Sequence, residues 1–148
     1  MRFRVSVPAL SAALFLAPVA FADEPKAVLT VKVDHIARKG GNLRLAIYDA
    51  KSFADDDAPS VADKIVTATP SKQSVTFDGI PPGTYAIKMF QDVNRNEKFD
   101  TNWLGLPAER YGFSNNAKPD WVRLSAPGFD AAKIELKPGA NWTEIWLH

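Results

Sequence analysis

Alternation of apolar and polar residues with period two is the feature that most limits what this chain can become. In Leu29-Thr-Val31-Lys-Val33-Asp34 and in Leu43-Arg-Leu45-Ala-Ile47-Tyr48 the odd positions are all apolar. Successive side chains on a strand point to opposite faces, so each run has one face to bury. Residues 75–78, 85–90, 134–137 and 142–147 repeat the pattern, and 64–69 carries a weaker version. Gly40-Gly41, between the first two runs, predicts a hairpin joining them. Most of the 11 prolines and the glycines fall between the periodic runs, where they punctuate turns. Helical patterning is limited to single turns at 51–54 and 61–64. About seven short strands with turn residues between them predict an all-β fold, a single antiparallel β-sandwich.

The N-terminus sets an address. Arg2 and Arg4 precede an apolar run that ends in Ala20-Phe21-Ala22, followed by Asp23 and Glu24. A basic start, a short apolar core and a small-x-small site define a cleavable signal peptide over residues 1–22. Ser6, Pro8, Ser11 and Pro18 interrupt the run, and it is short against the ~20 apolar residues of a membrane span. The expected mature domain is therefore 23–148, with no membrane span and a periplasmic or secreted location. With 18 basic and 17 acidic residues the whole chain is close to neutral, which argues against nucleic acid as a partner. There is no cysteine, so disulfides, thiol chemistry and a lipid anchor on cysteine are excluded.

Asp92-Val-Asn94-Arg-Asn96-Glu-Lys98-Phe-Asp100 carries the densest chemistry. In a calcium loop of EF type, ligands fall at positions 1, 3, 5, 7, 9 and 12 with glycine at 6. Counting from Asp92, the side chains of Asn94, Asn96 and Asp100 and the carbonyl of Lys98 fall on ligand positions. Glu97 replaces the glycine, and Trp103 stands where the bidentate glutamate belongs. Three acids against two bases give weak charge, so Ca²⁺ would bind at ~10⁻⁴–10⁻³ M, as in extracellular modules. The other reading of the same spacing is a loop whose Asx side chains cap its own backbone. The segment from 101 to 127 does not alternate; its aromatics, Trp121 among them, predict a long loop folded back on the domain.

The run Phe77-Asp-Gly79-Ile-Pro81-Pro82-Gly83-Thr-Tyr85-Ala resembles a turn signature of transthyretin-like and carboxypeptidase-regulatory-like β-sandwiches. There the prolines stiffen the connection, the glycine supplies an angle other residues resist, and the tyrosine enters the core. With Gly41-x-Leu43-x-x-Ala46-Ile-Tyr48, the Asp92–Asp100 spacing and Gly105-Leu-Pro107-x-Glu109-x-Tyr111-Gly112-Phe113-Ser114-Asn115-Asn116, the chain is similar to the bacterial exported family called domain of unknown function 2141. The similarity runs over about residues 29–147. It implies an Ig-like or transthyretin-like sandwich and an exported location, and no activity. Glu97 and Gln91 stand where that family often has Gly and His, so no role for that His carries over.

Two function classes follow. The first is a non-enzymatic module that binds an envelope protein or a small ligand through the loop 92–116, with Trp103, Glu109, Tyr111, Asn115 and Asn116 as its contact residues. The second is a hydrolase, metal-assisted or carboxylate-based, using Glu109 with Asp92 or Asp100. No residue constellation marks a catalytic centre: His35 and His148 are the only histidines.

Overall fold

The computed structural model describes residues 25–120 and 125–148, and the signal peptide expected at 1–22 and Trp121 lie outside them. Eight strands make up nearly half of the described residues: β1 (Ala27–Ile36), β2 (Asn42–Tyr48), β3 (Ala62–Thr67), β4 (Ser71–Ile80), β5 (Gly83–Asp92), β6 (Tyr111–Phe113), β7 (Ile134–Leu136) and β8 (Gly139–Trp146). Among the described residues helix is confined to one 3-10 turn, Ser114–Asn116, and one short helix, α1 (Phe129–Ala132). The all-β expectation holds.

The alternation does what its period requires. Leu29, Val31 and Val33 from β1 and Val75 and Phe77 from β4 are buried. Leu43, Leu45 and Ile47 from β2 and Ile87 and Met89 from β5 face them in one shared core. Their strands form two sheets, a three-stranded one in the order β4-β1-β8 and a five-stranded one built on β3-β2-β5-β6. The fifth strand, β7, pairs with the start of β5, while β6 pairs further along the same edge. Between them Ser114 fills the gap: its hydroxyl accepts from the Ile87 N–H at 2.8 Å and donates to the Ala132 carbonyl.

Four expectations need correction. Gly40-Gly41 does not close a hairpin: β1 pairs with β4 and β8, β2 with β3 and β5, so the connection crosses from one sheet to the other. The sheets are not wholly antiparallel, since β8 runs parallel to β1 from Ala27↔Gly139 to Asp34↔Trp146. Residues 62–64 belong to β3 rather than to a helical turn. Within the supposed loop 101–127, β6 pairs with β5 and exchanges backbone hydrogen bonds with His148.

The Pro81-Pro82 turn connects β4 to β5 across the two sheets. Tyr85 enters the core, 9 % exposed, and its hydroxyl donates to the Pro81 carbonyl at 2.9 Å. Gly83 does not adopt the unusual angle expected of it; a Cβ there would make a tight contact, 3.2 Å from the Tyr85 ring.

Gly41 is where the sheet crossing meets the end of β5. Its φ is +83°, and a Cβ would lie 2.1 Å from the Asp92 carbonyl oxygen. Gly40 has φ +74° but open space around it. Gly40→Ala should therefore cost only the ~1–2 kcal/mol of a left-handed alanine. Gly41→Ala should cost about 3 kcal/mol or more, because backbone must also move. Urea unfolding of the two variants checks this; equal losses would mean that the crossing relaxes freely.

Candidate functional site

The end of β5 delivers two polar residues, Gln91 and Asp92, into full burial. Burying them is tolerable only because every polar atom finds a partner. Gln91 Nε2 donates to the carbonyls of Ala37 (3.0 Å) and Gly40 (2.7 Å), and its Oε1 accepts from Ala37 N–H (2.9 Å). Asp92 Oδ1 accepts from the Asn96 N–H at 3.1 Å and Oδ2 from the Glu97 N–H at 3.0 Å. The Arg44 guanidinium lies 3.8 Å from Asp92 and 3.6 Å from Glu97.

The rest of the loop closes by the same chemistry. Asn94 Oδ1 accepts from Asn96 N–H (3.1 Å), and Asn96 Oδ1 from Lys98 N–H (2.9 Å). The side-chain amides of Asn94 and Asn96 both donate to the Asp100 carboxylate, at 2.7 and 3.0 Å. Glu109 is 9 % exposed and spans the loop's two ends, accepting from Val93 N–H (2.9 Å) and Asp100 N–H (3.2 Å). The five sequence-predicted ion residues thus gather in one loop. Asp92, Asn94 and Asn96 cap its backbone, and Lys98 N–H is one of the capped donors. Asn94, Asn96 and Asp100 converge within hydrogen-bond distance, but amide nitrogens rather than oxygens face the carboxylate. Among the described residues no group of three or more His, Cys, Asp or Glu is placed to hold a metal ion.

Beyond Asp100 the chain forms a small hairpin, with Thr101 bridged to Pro107. Asn102 Oδ1 accepts from the Leu104 (2.9 Å) and Leu106 (3.1 Å) N–H groups and fixes the tip. Trp103 projects from it, 90 % exposed, beside Leu104 at 55 %. Asn115 and Asn116 sit elsewhere: Asn115 donates to Ala131 O (3.0 Å), and Asn116 accepts from Trp146 N–H (2.8 Å). Of the contact residues expected from sequence, Tyr111 faces a groove, Trp103 stands at a hairpin tip, and Glu109, Asn115 and Asn116 serve the scaffold.

That groove is a concave feature of the described residues. It measures about 740 Å³ and runs between the outer face of the five-stranded sheet and the returning loop. Strand register explains its floor. Arg44 lies opposite Phe90 and Ile65, Phe90 opposite Tyr111, and Lys88 opposite Ala46 and Phe113, all on the outer face. Phe99 from the loop meets Phe90 edge-on with centroids 5.5 Å apart and Tyr111 at 5.6 Å. Leu106 and Pro107 add an apolar wall. Lys88 is paired with Asp56 at 2.7 Å and lies 5.0 Å from the Tyr48 ring centroid. Burial pushes the Tyr111 phenol above its ordinary range; burial, with Asp56 and Asp63 adding, does the same to Tyr48. Sequence reading missed Arg44 and Phe90, because outward residues of alternating strands look like a solvent face, and it placed Phe113 in a loop rather than on a strand.

No helix among the described residues is long and apolar enough to cross a membrane. Nothing in this geometry supports the hydrolase reading: the Glu109 and Asp92 carboxylates are engaged by backbone N–H groups. The family model described as "Uncharacterized protein conserved in bacteria (DUF2141)" matches residues 31–143. No curated protein and no solved structure matches the chain.

Glu97 occupies the loop's glycine position with φ +66°. Glu97→Gly should relieve that strain and lose only an ion pair whose carboxylate is 73 % exposed. The gain should be roughly 0.5–1 kcal/mol after the glycine's own entropy cost. It should appear as a higher urea midpoint at unchanged slope; a lower midpoint would mean that the Arg44 contact outweighs the strain.

Proposed function

Because the chain belongs to the DUF2141 family of uncharacterised bacterial proteins, which brings no activity with it, we propose a function from the site itself. The protein is an exported, non-enzymatic β-sandwich module of Ig-like or transthyretin-like type that binds a small apolar ligand in the groove above β2, β5 and β6. The groove carries this reading: it is concave, about 740 Å³, with an apolar wall of Phe99, Leu106 and Pro107 and a floor on which Phe90, Tyr111 and Phe113 alternate with Arg44 and Lys88. Pockets of that size and lining are the usual seats of small ligands. The loop supplies a preformed wall, since its backbone is tied by Asp92, Asn94, Asn96 and Glu109. A preformed wall lowers the ordering cost of binding. Export rests on the signal-like residues 1–22, and a recovered protein that begins at Asp23 is its readout.

The test uses the neutral fluorophore N-phenyl-1-naphthylamine as the apolar probe. Ala46 lines the groove at the centre of the sheet face, beside Lys88. Saturable binding at one site, lost in Ala46→Trp with the unfolding midpoint retained, is the expected result. Unsaturable binding, or full binding in Ala46→Trp, would sink the proposal.

The convergence of Asn94, Asn96 and Asp100 favours a second, separable property: weak Ca²⁺ binding that stabilises the loop. A cation would take the Asp100 carboxylate in place of the two amide donors and draw oxygens of Asp92, Asn94 and Asn96 and the Lys98 carbonyl toward it. By mass action, millimolar Ca²⁺ but not Mg²⁺ should then raise the unfolding midpoint over that in EGTA. Asp100→Asn should abolish the rise. An unchanged midpoint in the unsubstituted protein leaves a loop that caps itself.

A further inference from the structure

The three-stranded sheet has an outer face of its own, and it carries two indoles. Trp142 and Trp146 lie on β8, 68 % and 43 % exposed, while the intervening Thr143 and Ile145 turn into the core. Four residues of strand separate them by ~13 Å on one face. Neither ring is loose. The Lys32 ammonium stands 4.6 Å from the Trp142 centroid, and His35 meets Trp146 edge-on at 5.8 Å.

Between and beside the rings the face is polar. Register sets Lys32 opposite Glu144 and Asp34 opposite Trp146 on one side, and Ser74 opposite Lys32 and Lys72 opposite Asp34 on the other. Lys72 and Asp34 pair at 2.7 Å. Lys32, Asp34, Lys72, Ser74 and Glu144 line a shallow depression of about 340 Å³. Two cations and two anions leave it without net charge.

We infer that this face binds a neutral, extended oligosaccharide, with Trp142 and Trp146 stacking on different sugar rings and the depression taking hydroxyls. The inference is independent of the groove on the opposite sheet. A pyranose ring has an apolar face that suits an indole and an edge of hydroxyls that can replace water on charged groups. A protein partner would have to desolvate Lys32, Glu144 and the Lys72–Asp34 pair between two separate apolar spots, at a cost no core contact offsets. The open sheet face suits an extended, β-1,4-linked chain, and the indole spacing exceeds one ring, so monosaccharides should bind poorly.

Titration of the whole protein with cellohexaose and with chitohexaose, followed calorimetrically, tests this. Saturable binding of at least one hexasaccharide is expected, with glucose and N-acetylglucosamine at least tenfold weaker. Trp142→Ala and Trp146→Ala should each weaken binding at least tenfold, and Trp142→Phe, which keeps an aromatic face, should weaken it less. Trp103→Ala and Ala46→Trp should leave it unchanged, which separates this face from the groove. Unfolding midpoints show whether each variant is folded. Failure of both hexasaccharides to bind, binding that survives both alanine substitutions, or monosaccharides binding as well as the chains would each overturn the inference.

Discussion

The structure depends on a polar pair placed where a β-protein normally puts apolar residues. Gln91 and Asp92 end the central strand β5 in full burial. Each unmet hydrogen bond there would cost about 1–3 kcal/mol, and an unpaired charge more. The pair is satisfied by two different pieces of chain: Gln91 holds residues 37–40, where β1 crosses to β2, and Asp92 holds the backbone at 96 and 97. One strand end therefore fixes both a sheet-to-sheet crossing and the start of the long loop. Gly41 follows from the same constraint, since the crossing must pass within contact distance of the Asp92 carbonyl. In this chain, Gln91 supplies both amide donors and an amide acceptor to that crossing. A neutral imidazole, with one donor and one acceptor, could not match all three bonds.

Period-two patterning made the class and the inward faces legible, and little more. It predicts that Leu29, Val31, Leu43 and Leu45 point inward, and they do. It carries no information on which strand lies beside which, because any neighbour with an apolar inner face satisfies it. Hence Gly40-Gly41 reads as a hairpin in sequence and is a crossing in space. β8 finds β1 as a parallel neighbour only after the whole chain has wrapped around. At three residues, β6 is too short to show a period; it is a strand because β5 offers a free edge and His148 a second partner.

In the candidate site the side-chain spacing of 92–100 was readable, but its consequence was not. Asx side chains that can ligate a cation can equally accept N–H bonds from residues two to five positions on, and the spacing is common to both. Glu109 was legible as a carboxylate near the loop, but not as the brace across its two ends, because that role exists only once Val93 and Asp100 are brought together. The groove was hardest to foresee. Phe90 interrupts the polar face of its strand, a local anomaly that gains meaning only when register sets it beside Tyr111 and the loop lays Phe99 against both.

The two outer faces then answer the same physical problem differently. A sheet that exposes aromatic residues must cover them or use them. On the five-stranded sheet the chain folds its own loop across Phe90 and Tyr111, and the cover leaves a groove. On the three-stranded sheet Trp142 and Trp146 keep 68 % and 43 % of their surface open. The energetic logic of that face is interruption: Lys32 and Glu144 lie between the indoles and deny them a continuous apolar contact. Such a face resists self-association, because a second copy would have to bury charges along with rings. It still suits a ligand that alternates apolar surface with hydroxyls. The alternation that began as a folding signal along each strand thus recurs across strands, where it sorts the molecules that can lie on the sheet.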